Sequence, residues 1–257
     1  MTRELDWLIH HYDTVTSTMD VAKRLALFGA RDRTAVVSAK QTAGRGRDGR
    51  SWNAPAGTAV FCTIVLRPPV TPGRLSTLPL IAGVAVAEAI EHISGSDVRL
   101  KWPNDVWLGA DSDNTKVAGV LVTSALRGNA VVHALVGVGI NVLAGAERLP
   151  QGATSIQAAT EVAVSPDEVF TVLLDQFDAI YADYVTEAGR PSLAGWRARA
   201  ALLGEVVSVE DADRSLTGTF VDIDEDGGLL IQEPGQPLRK VVAGDLVRGP
   251  RFVRQSG

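Results

Sequence analysis

Three long segments of the chain place apolar residues at the spacing of an α-helix. Residues 17–28 have apolar side chains at i, i+4 and i+7, with a serine at their start placed to cap the helix and Gly29 placed to end it. Residues 75–93 and 165–186 continue the same period for longer, and a shorter helix runs through Trp196. The pattern therefore predicts four helices separated by other structure.

Continuous or alternating apolar runs between turn-forming residues predict strands. In the first part of the chain these runs are residues 9–12, 34–39, 58–66, 98–102, 117–126 and 130–142. The triplet at residues 103–105, Pro-Asn-Asp, forms a turn, and residues 106–108 are expected to extend the strand before it. Residues 127–129, Arg-Gly-Asn, join the last two runs as a hairpin.

Beyond Leu203 the pattern changes to short β-like runs separated by glycine and aspartate. These runs are residues 205–210, 216–222, 228–232, 240–242 and 245–247. They predict a small β domain in residues 203–257, attached to a main domain of helices and strands in residues 1–202.

The composition is that of an ordinary globular protein: of 257 residues, 46% are hydrophobic and 21% are charged, with a net charge of -5. An acidic chain gives no reason to expect a general nucleic-acid or membrane-surface binder. Its one cysteine, Cys62, stands in an apolar run, which excludes an internal disulfide and favours a buried thiol. The charged N-terminus and the lack of an apolar stretch of about 18 residues predict a cytoplasmic protein.

A glycine-rich loop at residues 44–52 contains three arginines in the sequence Gly-Arg-Gly-Arg-Asp-Gly-Arg-Ser-Trp. Glycines let backbone amides approach an anion, and the guanidinium groups of Arg45, Arg47 and Arg50 match phosphate oxygens. The segment is no P-loop, because Gly-Lys-Ser/Thr is absent and a strand follows. A polyphosphate site and a solvated basic loop both remain open on this pattern alone.

Three further patterns place charged or small residues at strand ends and on strand faces. In residues 101–105, Lys-Trp-Pro-Asn-Asp, the aspartate beside a lysine suits Mg²⁺ and phosphates, but a tight turn with a surface ion pair fits as well. Lys116 heads an apolar strand in which Gly119 leaves room for a ligand, although a solvated lysine is the commoner case. Gly137 and Gly139 share one strand face, which either leaves a slot or allows close backbone packing.

Together and in this order, these motifs resemble those of the biotin protein ligase family. The matching segments are residues 41–52, 101–105, 116–121 and 137–141, and the likeness runs from about Thr14 to the C-terminus. The helix-turn-helix that precedes the catalytic domain of repressor-type members is missing, so we expect a monofunctional ligase. The resemblance implies an α+β catalytic domain in residues 1–202, with a central mixed β-sheet flanked by helices, and a small SH3-like β-barrel in residues 203–257.

The resemblance also implies which residues form the site. Biotin is expected to contact Ser17, Thr18, Gln41, Gly44, Arg45, Trp52, Lys116, Gly119, Leu121, Gly137 and Gly139. ATP and the adenylate are expected to contact Arg45, Arg47, Arg50, Lys101, Asn104, Lys116 and Asn141. Lys116 and Arg47 are the expected catalytic residues, and Asp105 is the expected Mg²⁺ ligand.

The implied reaction has two steps. Biotin and MgATP give biotinyl-5′-AMP and pyrophosphate, and a lysine amine on the biotin carboxyl carrier domain of a biotin-dependent carboxylase then displaces AMP. The implied partners are biotin, ATP with Mg²⁺ and that carrier domain, with no specific nucleic acid and no membrane. Closure of the glycine-rich loop would keep water from the adenylate.

Two rival functions remain for comparison. A lipoate protein ligase shares the fold and the adenylation chemistry, but that family carries Arg-Arg and Gly-Gly-Gly followed by a histidine, and here no histidine stands between His11 and His92. A non-catalytic nucleic-acid module using the loop arginines is disfavoured by the acidic net charge and the lack of interleaved aromatics. Asp48, Thr123 and Arg248 depart from the family pattern or its register, and no role is assigned to them.

Overall fold

The computed structural model describes residues 7–109, 115–187, 189–211 and 214–249. The strands of the main part are β1 (Leu8–Val15), β2 (Thr34–Gln41), β3 (Ala59–Leu66), β4 (Val98–Lys101), β5 (Asp105–Leu108), β6 (Thr115–Arg127) and β7 (Ala130–Asn141). The α-helices of these ranges are α1 (Thr18–Leu27), α2 (Leu78–Ser94), α3 (Ile156–Thr160), α4 (Pro166–Glu187) and α5 (Arg190–Ala198).

The main sheet has seven strands in the order β1-β2-β3-β7-β6-β5-β4. β1 and β2 are parallel, and the other neighbouring pairs are antiparallel, which confirms the predicted mixed sheet. The expectation that residues 106–108 extend the strand before them is wrong. The chain reverses in a tight turn, so that β5 runs back along β4 with Asp105 opposite Lys101.

Side-chain alternation along β3 divides the core into two layers. Val65 faces α1 and packs with Val36 and Leu135. Cys62 and Ile64 point to the other face, into a larger apolar cluster that is covered by α2, α4 and α5. Helices therefore cover both faces of the sheet, as predicted, with α1 alone on its side.

Capping residues explain where two of the helices begin. The Ser17 hydroxyl accepts a hydrogen bond from the backbone at the start of α1. Ser165 and Glu168 form a reciprocal capping box before α4, in which each side chain accepts from the other residue's backbone N–H. The helical spacing does not extend to Phe28, because α1 ends one residue earlier and the Phe28 side chain is 89% exposed.

Helix α2 and the 3₁₀ turn before it form the stretch Pro72–Ser94, which by length and composition is apolar enough to cross a membrane. Within the described ranges it is the one helix with this length and composition. Its most apolar segment is 67% buried inside the protein, and buried core helices often have the same length and composition. Leu78, Ile81 and Ala85 are fully covered by the rest of the core.

The C-terminal strands are β8 (Val206–Asp211), β9 (Arg214–Ile223), β10 (Leu229–Gln232), β11 (Arg239–Val241) and β12 (Asp245–Arg248). They form an antiparallel sheet in the order β11-β10-β9-β8-β12, which confirms the predicted small β unit. Over the residues that the structure describes, no pairing joins the edges β11 and β12. The unit is therefore described as an antiparallel sheet and not as a closed barrel.

The C-terminal sheet packs directly on the main domain. The Trp102 indole N–H donates to the Gly227 carbonyl at 3.0 Å, and the rings of Trp196 and Phe220 lie 6.5 Å apart. Apolar residues of both units belong to one buried cluster. This packing sets β12 beside the turn between β4 and β5, where the candidate site begins.

Candidate active site

A cavity of about 270 Å³ opens on the α1 side of the sheet, bounded by the glycine-rich loop and the start of β12. The predicted site residues that line it are Ser17, Thr18, Gln41, Arg45, Arg47, Arg50, Trp52, Lys101, Asn104, Asp105, Lys116, Gly119, Leu121, Gly137 and Gly139. The structure does not place Gly44 or Asn141 in this lining. Gly44 packs closely on the Trp52 carbonyl, while the buried Asn141 amide donates to the Thr154 carbonyl at 3.0 Å.

Neutral polar groups meet at the end of the cavity beside α1. The side-chain oxygen of Gln41 accepts hydrogen bonds from the Thr18 backbone N–H at 2.8 Å and from the Thr18 hydroxyl at 3.2 Å. The same hydroxyl lies 2.8 Å from the hydroxyl of Thr63 on β3. Because these groups hold one another in place, they suit a neutral ligand that offers both donors and acceptors.

Glycines form one wall of the cavity, and the indole of Trp52 lies against them. Gly119 and Gly139 pair directly across β6 and β7. A Cβ added at Gly139 would lie 2.9 Å from Trp52 Cζ2, and one added at Gly119 would lie 3.1 Å from Trp52 Cζ3. Trp52 therefore takes part of the room that the missing side chains leave. Its buried indole N–H has no hydrogen-bond partner in the described part of the chain.

A β-bulge turns Lys116 into the cavity. In a regular strand Lys116 and Gly119 would point to opposite faces, because their separation is odd. The register between β5 and β6 shifts so that Val117 has no partner in the ladder. As a result the Lys116 ammonium lies 2.5 Å from the Asp105 carboxylate and 5.3 Å from the centre of the Trp52 ring.

Two arginines of the glycine-rich loop connect it to three other elements. The exposed Arg45 guanidinium pairs with Asp20 of α1 at 2.9 Å. Arg47 is better covered, with 22% of its side chain exposed, and donates to the Asn104 side-chain oxygen and the Gly244 carbonyl, both at 3.3 Å. Arg47 thus links the turn between β4 and β5 to the C-terminal sheet.

The third arginine, Arg50, pairs with two carboxylates. Its guanidinium is 3.4 Å from the Asp48 carboxylate and in direct contact with the Asp245 carboxylate at the start of β12. Asp48 itself has a left-handed backbone (φ 53°, ψ 38°), a conformation in which aspartate is tolerated better than most residues.

The turn between β4 and β5 presents a second lysine to the cavity. Burial lowers the pKa of Lys101, while the opposite charges of Asp105 and Asp245 act to raise it. The neighbouring Asn104 is anchored because its amide donates to the Val120 carbonyl at 2.8 Å. The ammonium of Lys101 is therefore less hydrated than that of a surface lysine, which strengthens the attraction of its charged form for an anion.

Met19, Thr63 and Asp245 are among the side chains that line the cavity without having been predicted from the sequence. Thr63 carries a readable signal, since its hydroxyl interrupts an apolar strand opposite Gly137. Asp245 carries none, because only the packing of the second sheet brings it here. Cys62 is buried as predicted, and burial raises the pKa of its thiol to about 12, so it stays protonated at neutral pH.

The cavity therefore has one neutral end and one cationic end. Thr18 and Gln41 offer fixed hydrogen-bonding groups at the first, and Lys101, Lys116 and Arg47 surround the second. Preorganised cations stabilise the charge that develops when a carboxylate attacks a phosphate ester. The arrangement suits a ligand with a neutral polar head and an anionic tail, together with a phosphorylated co-substrate.

Comparison with known proteins identifies the family of this chain. Residues 12–141 match the model of the biotin/lipoate A/B protein ligase family, and residues 202–249 match the model of the biotin protein ligase C-terminal domain. The chain is 38% identical over 207 residues to the biotin–[acetyl-CoA-carboxylase] ligase of Paracoccus denitrificans, covering 77% of this chain and 84% of that protein. It is 31% identical over 246 residues to the bifunctional ligase/repressor BirA of Bacillus subtilis, covering 94% of this chain and 74% of that protein.

A solved structure shares the whole architecture. The biotin protein ligase of Aquifex aeolicus, in complex with biotin and ATP, superposes with a TM-score of 0.76 at 29% identity, covering 93% of this chain and 97% of that chain. The likeness therefore extends over both parts of this chain. The chain belongs to the biotin/lipoate A/B protein ligase family and, within it, to the biotin protein ligases.

Proposed function

We propose that this chain is an ATP-dependent ligase that attaches biotin to a lysine of a carrier protein. In the first step an oxygen of the biotin carboxylate attacks the α-phosphorus of ATP, and pyrophosphate leaves. In the second, the lysine amine attacks the acyl carbon of biotinyl-5′-AMP, loses a proton and displaces AMP. The observation that carries the proposal is the single cavity that joins a neutral hydrogen-bonding end to a cationic end.

The names of the relatives support the substrates. The Aquifex aeolicus relative was solved with biotin and ATP, and relatives from Paracoccus denitrificans and Mycobacterium tuberculosis are named biotin–[acetyl-CoA-carboxylase] ligases. The acceptor of this chain is accordingly the biotin carboxyl carrier domain of a biotin-dependent carboxylase. ATP is abundant in the cytoplasm, where we propose that the reaction takes place.

At the neutral end, Thr18, Gln41 and Thr63 would hold the ureido ring of biotin. A urea has two N–H donors and one carbonyl acceptor, which match hydroxyl and amide groups in an otherwise apolar pocket. Ser17 completes this end. The valeryl chain would then run along the glycine wall formed by Gly119, Gly137 and Gly139, with Leu121 and Trp52 beside it.

At the cationic end, Lys116 is positioned to act on the reacting atoms. Its ammonium would lie between the biotin carboxylate and the α-phosphate, where it would stabilise the charge of the transition state. Arg47, with Lys101 and Asn104, would bind the phosphates, and Arg45 would reach the carboxylate from the loop. Gly44 and Asn141 would not contact a ligand. Gly44 would instead allow the close approach of the Trp52 backbone, and Asn141 would hold the Thr154 backbone.

The remaining partner is Mg²⁺, for which Asp105 is the proposed ligand. Among the described residues no group of three or more His, Cys, Asp or Glu side chains is placed to hold a metal by itself. A single carboxylate at the cationic end still fits, because Mg²⁺ is commonly held by one or two carboxylates together with substrate phosphates. When bound, the ion would neutralise phosphate charge beside Lys116.

The proposed domain boundary lies between residues 202 and 203, where the main α+β unit gives way to the C-terminal sheet. The match to the C-terminal family domain begins at residue 202, which supports this division. The two parts share one apolar cluster, so we propose that they fold as one cooperative unit in spite of the boundary.

The test is adenylate formation with two competing acids. Purified protein is incubated with MgATP and either biotin or lipoate, pyrophosphate release is measured, and the acyl-adenylate is identified by mass spectrometry. Biotinyl-AMP from the wild type, with a loss of about 10²- to 10³-fold in Lys116→Ala, is the expected result. The exposed Lys23→Ala serves as a matched control and retains full rate.

Two outcomes would contradict the proposal. Formation of lipoyl-AMP in place of biotinyl-AMP would assign the chain to the lipoate branch of the family. No adenylate from either acid would remove the adenylation function altogether. Transfer is tested separately, by adding a purified carrier domain and following the mass of its lysine-containing peptide.

A further inference from the structure

We infer that Asp245, which the C-terminal sheet contributes, is a positioning residue that holds the glycine-rich loop closed over the cavity. The loop is residues 44–52, and the pair that holds it is Asp245 with Arg50. The inference rests on the proposed function, because a closed loop would retain biotinyl-AMP between the two steps. We call the pair of Arg50 and Asp245 the latch. Arg50 then holds the loop, and Arg47 and Lys101 bind the phosphates.

The contacts at the start of β12 support a latch. Asp245 contacts the Arg50 guanidinium directly and lies 3.8 Å from that of Arg47. The preceding Gly244 accepts a hydrogen bond from Arg47 at 3.3 Å. Two adjacent residues of the C-terminal sheet therefore hold two arginines of the loop.

The loop is built to move as one piece. It folds back on itself as a small hairpin, with an isolated bridge between Arg45 and Ser51. The Gly46 N–H donates to the Arg50 carbonyl at 2.7 Å, and the Trp52 N–H donates to the Gly44 carbonyl at 3.0 Å. The ion pair between Arg50 and Asp245 therefore restrains the whole hairpin, including Trp52 at its base.

Asp48 strengthens the latch from within the loop. Its carboxylate lies 3.4 Å from Arg50 and 3.5 Å from Arg47, so Arg50 pairs with two carboxylates. An arginine held by two carboxylates is a poor phosphate ligand, because an arriving phosphate must compete with both. The acidic residue at position 48 thereby gains a role that the family pattern does not provide.

An exposed ion pair of this kind changes an opening equilibrium by only a few fold. Side chains of Arg50 and Asp245 are 58% and 37% exposed, and such pairs shift equilibria by about 1.5- to 5-fold. A shift of that size is enough to change how often the loop opens while leaving the fold intact. The latch is therefore testable without unfolding the protein.

The experiment is hydrogen exchange of the ligand-free protein, followed by mass spectrometry of peptides that cover residues 44–52. Asp245→Asn and Arg50→Gln are each expected to speed exchange of these amides by about 2- to 5-fold. The effects of the two substitutions are expected to be less than additive in the double variant, since both remove the pair between Arg50 and Asp245.

Glu233→Gln is the matched control. It removes a carboxylate of similar exposure that pairs with Arg239 inside the C-terminal sheet at 3.1 Å, and it leaves the loop untouched. Unchanged loop exchange in Asp245→Asn, or additive effects in the double variant, would overturn the latch. So would equal acceleration in Glu233→Gln, because the effect would then report general loosening of the C-terminal sheet.

A second readout follows the intermediate. In wild type and Asp245→Asn preloaded with biotin and MgATP, released biotinyl-AMP is separated by rapid filtration, and the variant is expected to release it about 2- to 5-fold faster. Hydrogen exchange is measured without any ligand. The latch hypothesis and the proposed ligase function can therefore fail separately. Faster exchange with no adenylate would reject the ligase function and keep the latch, whereas adenylate formation with unchanged exchange and unchanged release would reject the latch alone.

Discussion

The indole of Trp52 occupies the space that a side chain at Gly139 would need. A Cβ at Gly139 would come within 2.9 Å of Trp52 Cζ2, which is closer than real Cβ atoms approach. The glycine-rich loop and the central strand β7 therefore interlock through a ring on one side and a missing side chain on the other. Through this contact the conformation of the loop depends on the glycine wall of the cavity.

The first prediction is that Gly139→Ala lowers affinity for biotin by about tenfold or more, because the added methyl group forces Trp52 out of position. Isothermal titration calorimetry with biotin measures it. Gly83→Ala is the control: it lies inside α2, its new Cβ would meet only Leu100 at an ordinary 3.6 Å, and wild-type affinity is expected. Equal affinity in Gly139→Ala and wild type would show that the slot is not part of the biotin site.

Thr63 is predicted to matter although its side chain was not anticipated from the sequence. Thr63→Val removes the hydroxyl that lies 2.8 Å from Thr18, leaving the Thr18–Gln41 pair less firmly oriented. The expected result is a rise in KM for biotin of about 5- to 10-fold, equivalent to losing one hydrogen bond, with KM for ATP unchanged. Thr63→Ser keeps the hydroxyl and should behave as wild type. A parallel rise in KM for ATP would argue for general damage to the cavity.

Asp105 is predicted to act on Mg²⁺ as well as on Lys116. If the carboxylate is a metal ligand, Asp105→Asn raises the Mg²⁺ concentration needed for half-maximal adenylation by about tenfold or more. The measurement is the rate of pyrophosphate release across a Mg²⁺ titration at fixed ATP. A lowered maximal rate with the same Mg²⁺ dependence would mean that Asp105 only orients the Lys116 ammonium, 2.5 Å away.

His133 is predicted to make stability depend on pH. Burial, with the nearby positive charges of Arg67 and Lys23, lowers its pKa in the folded protein below the ordinary value of 6.5. As pH falls below 6.5 the unfolded chain takes up this proton first, so the free energy of unfolding decreases until the folded-state pKa is passed.

Urea unfolding at several pH values between neutral and mildly acidic measures this effect. His133→Leu should unfold with a weaker pH dependence, since it removes the group that titrates differently in the two states. The exposed His92→Gln should keep the wild-type slope. An unchanged slope in His133→Leu would place the acid sensitivity elsewhere.

Local pattern predicted most of the secondary structure, and the family resemblance named most of the residues that line the cavity. The apolar runs at residues 117–126 and 130–142 became the hairpin of β6 and β7, and the serine caps marked where α1 and α4 begin. Such signals need only neighbouring residues, so they can be read without the fold. The short α3, with Ser155 as its cap, was missed because five residues are too few to show a helical period.

The failures have physical causes. Residues 106–108 continue an apolar run, and only the reversal at the Pro-Asn-Asp turn makes them a separate antiparallel strand. Phe28 fits the helical spacing, but α1 ends before it and the side chain meets solvent. Asn141 follows the glycines of β7, yet its amide is used to hold Thr154.

The sequence by itself determined which chemistry this protein carries: which strands and helices form, that a glycine-rich loop bears three arginines, and that lysines stand at the strand ends. Tertiary structure alone decided where those charges point. A two-residue alternation puts Lys116 and Gly119 on opposite faces, and the bulge at Val117 that reunites them exists only because β5 pairs out of step with β6. The pairing of Arg50 with Asp245 likewise depends on how a second sheet packs against the first, because contacts between residues distant in the chain form only when both surfaces have folded.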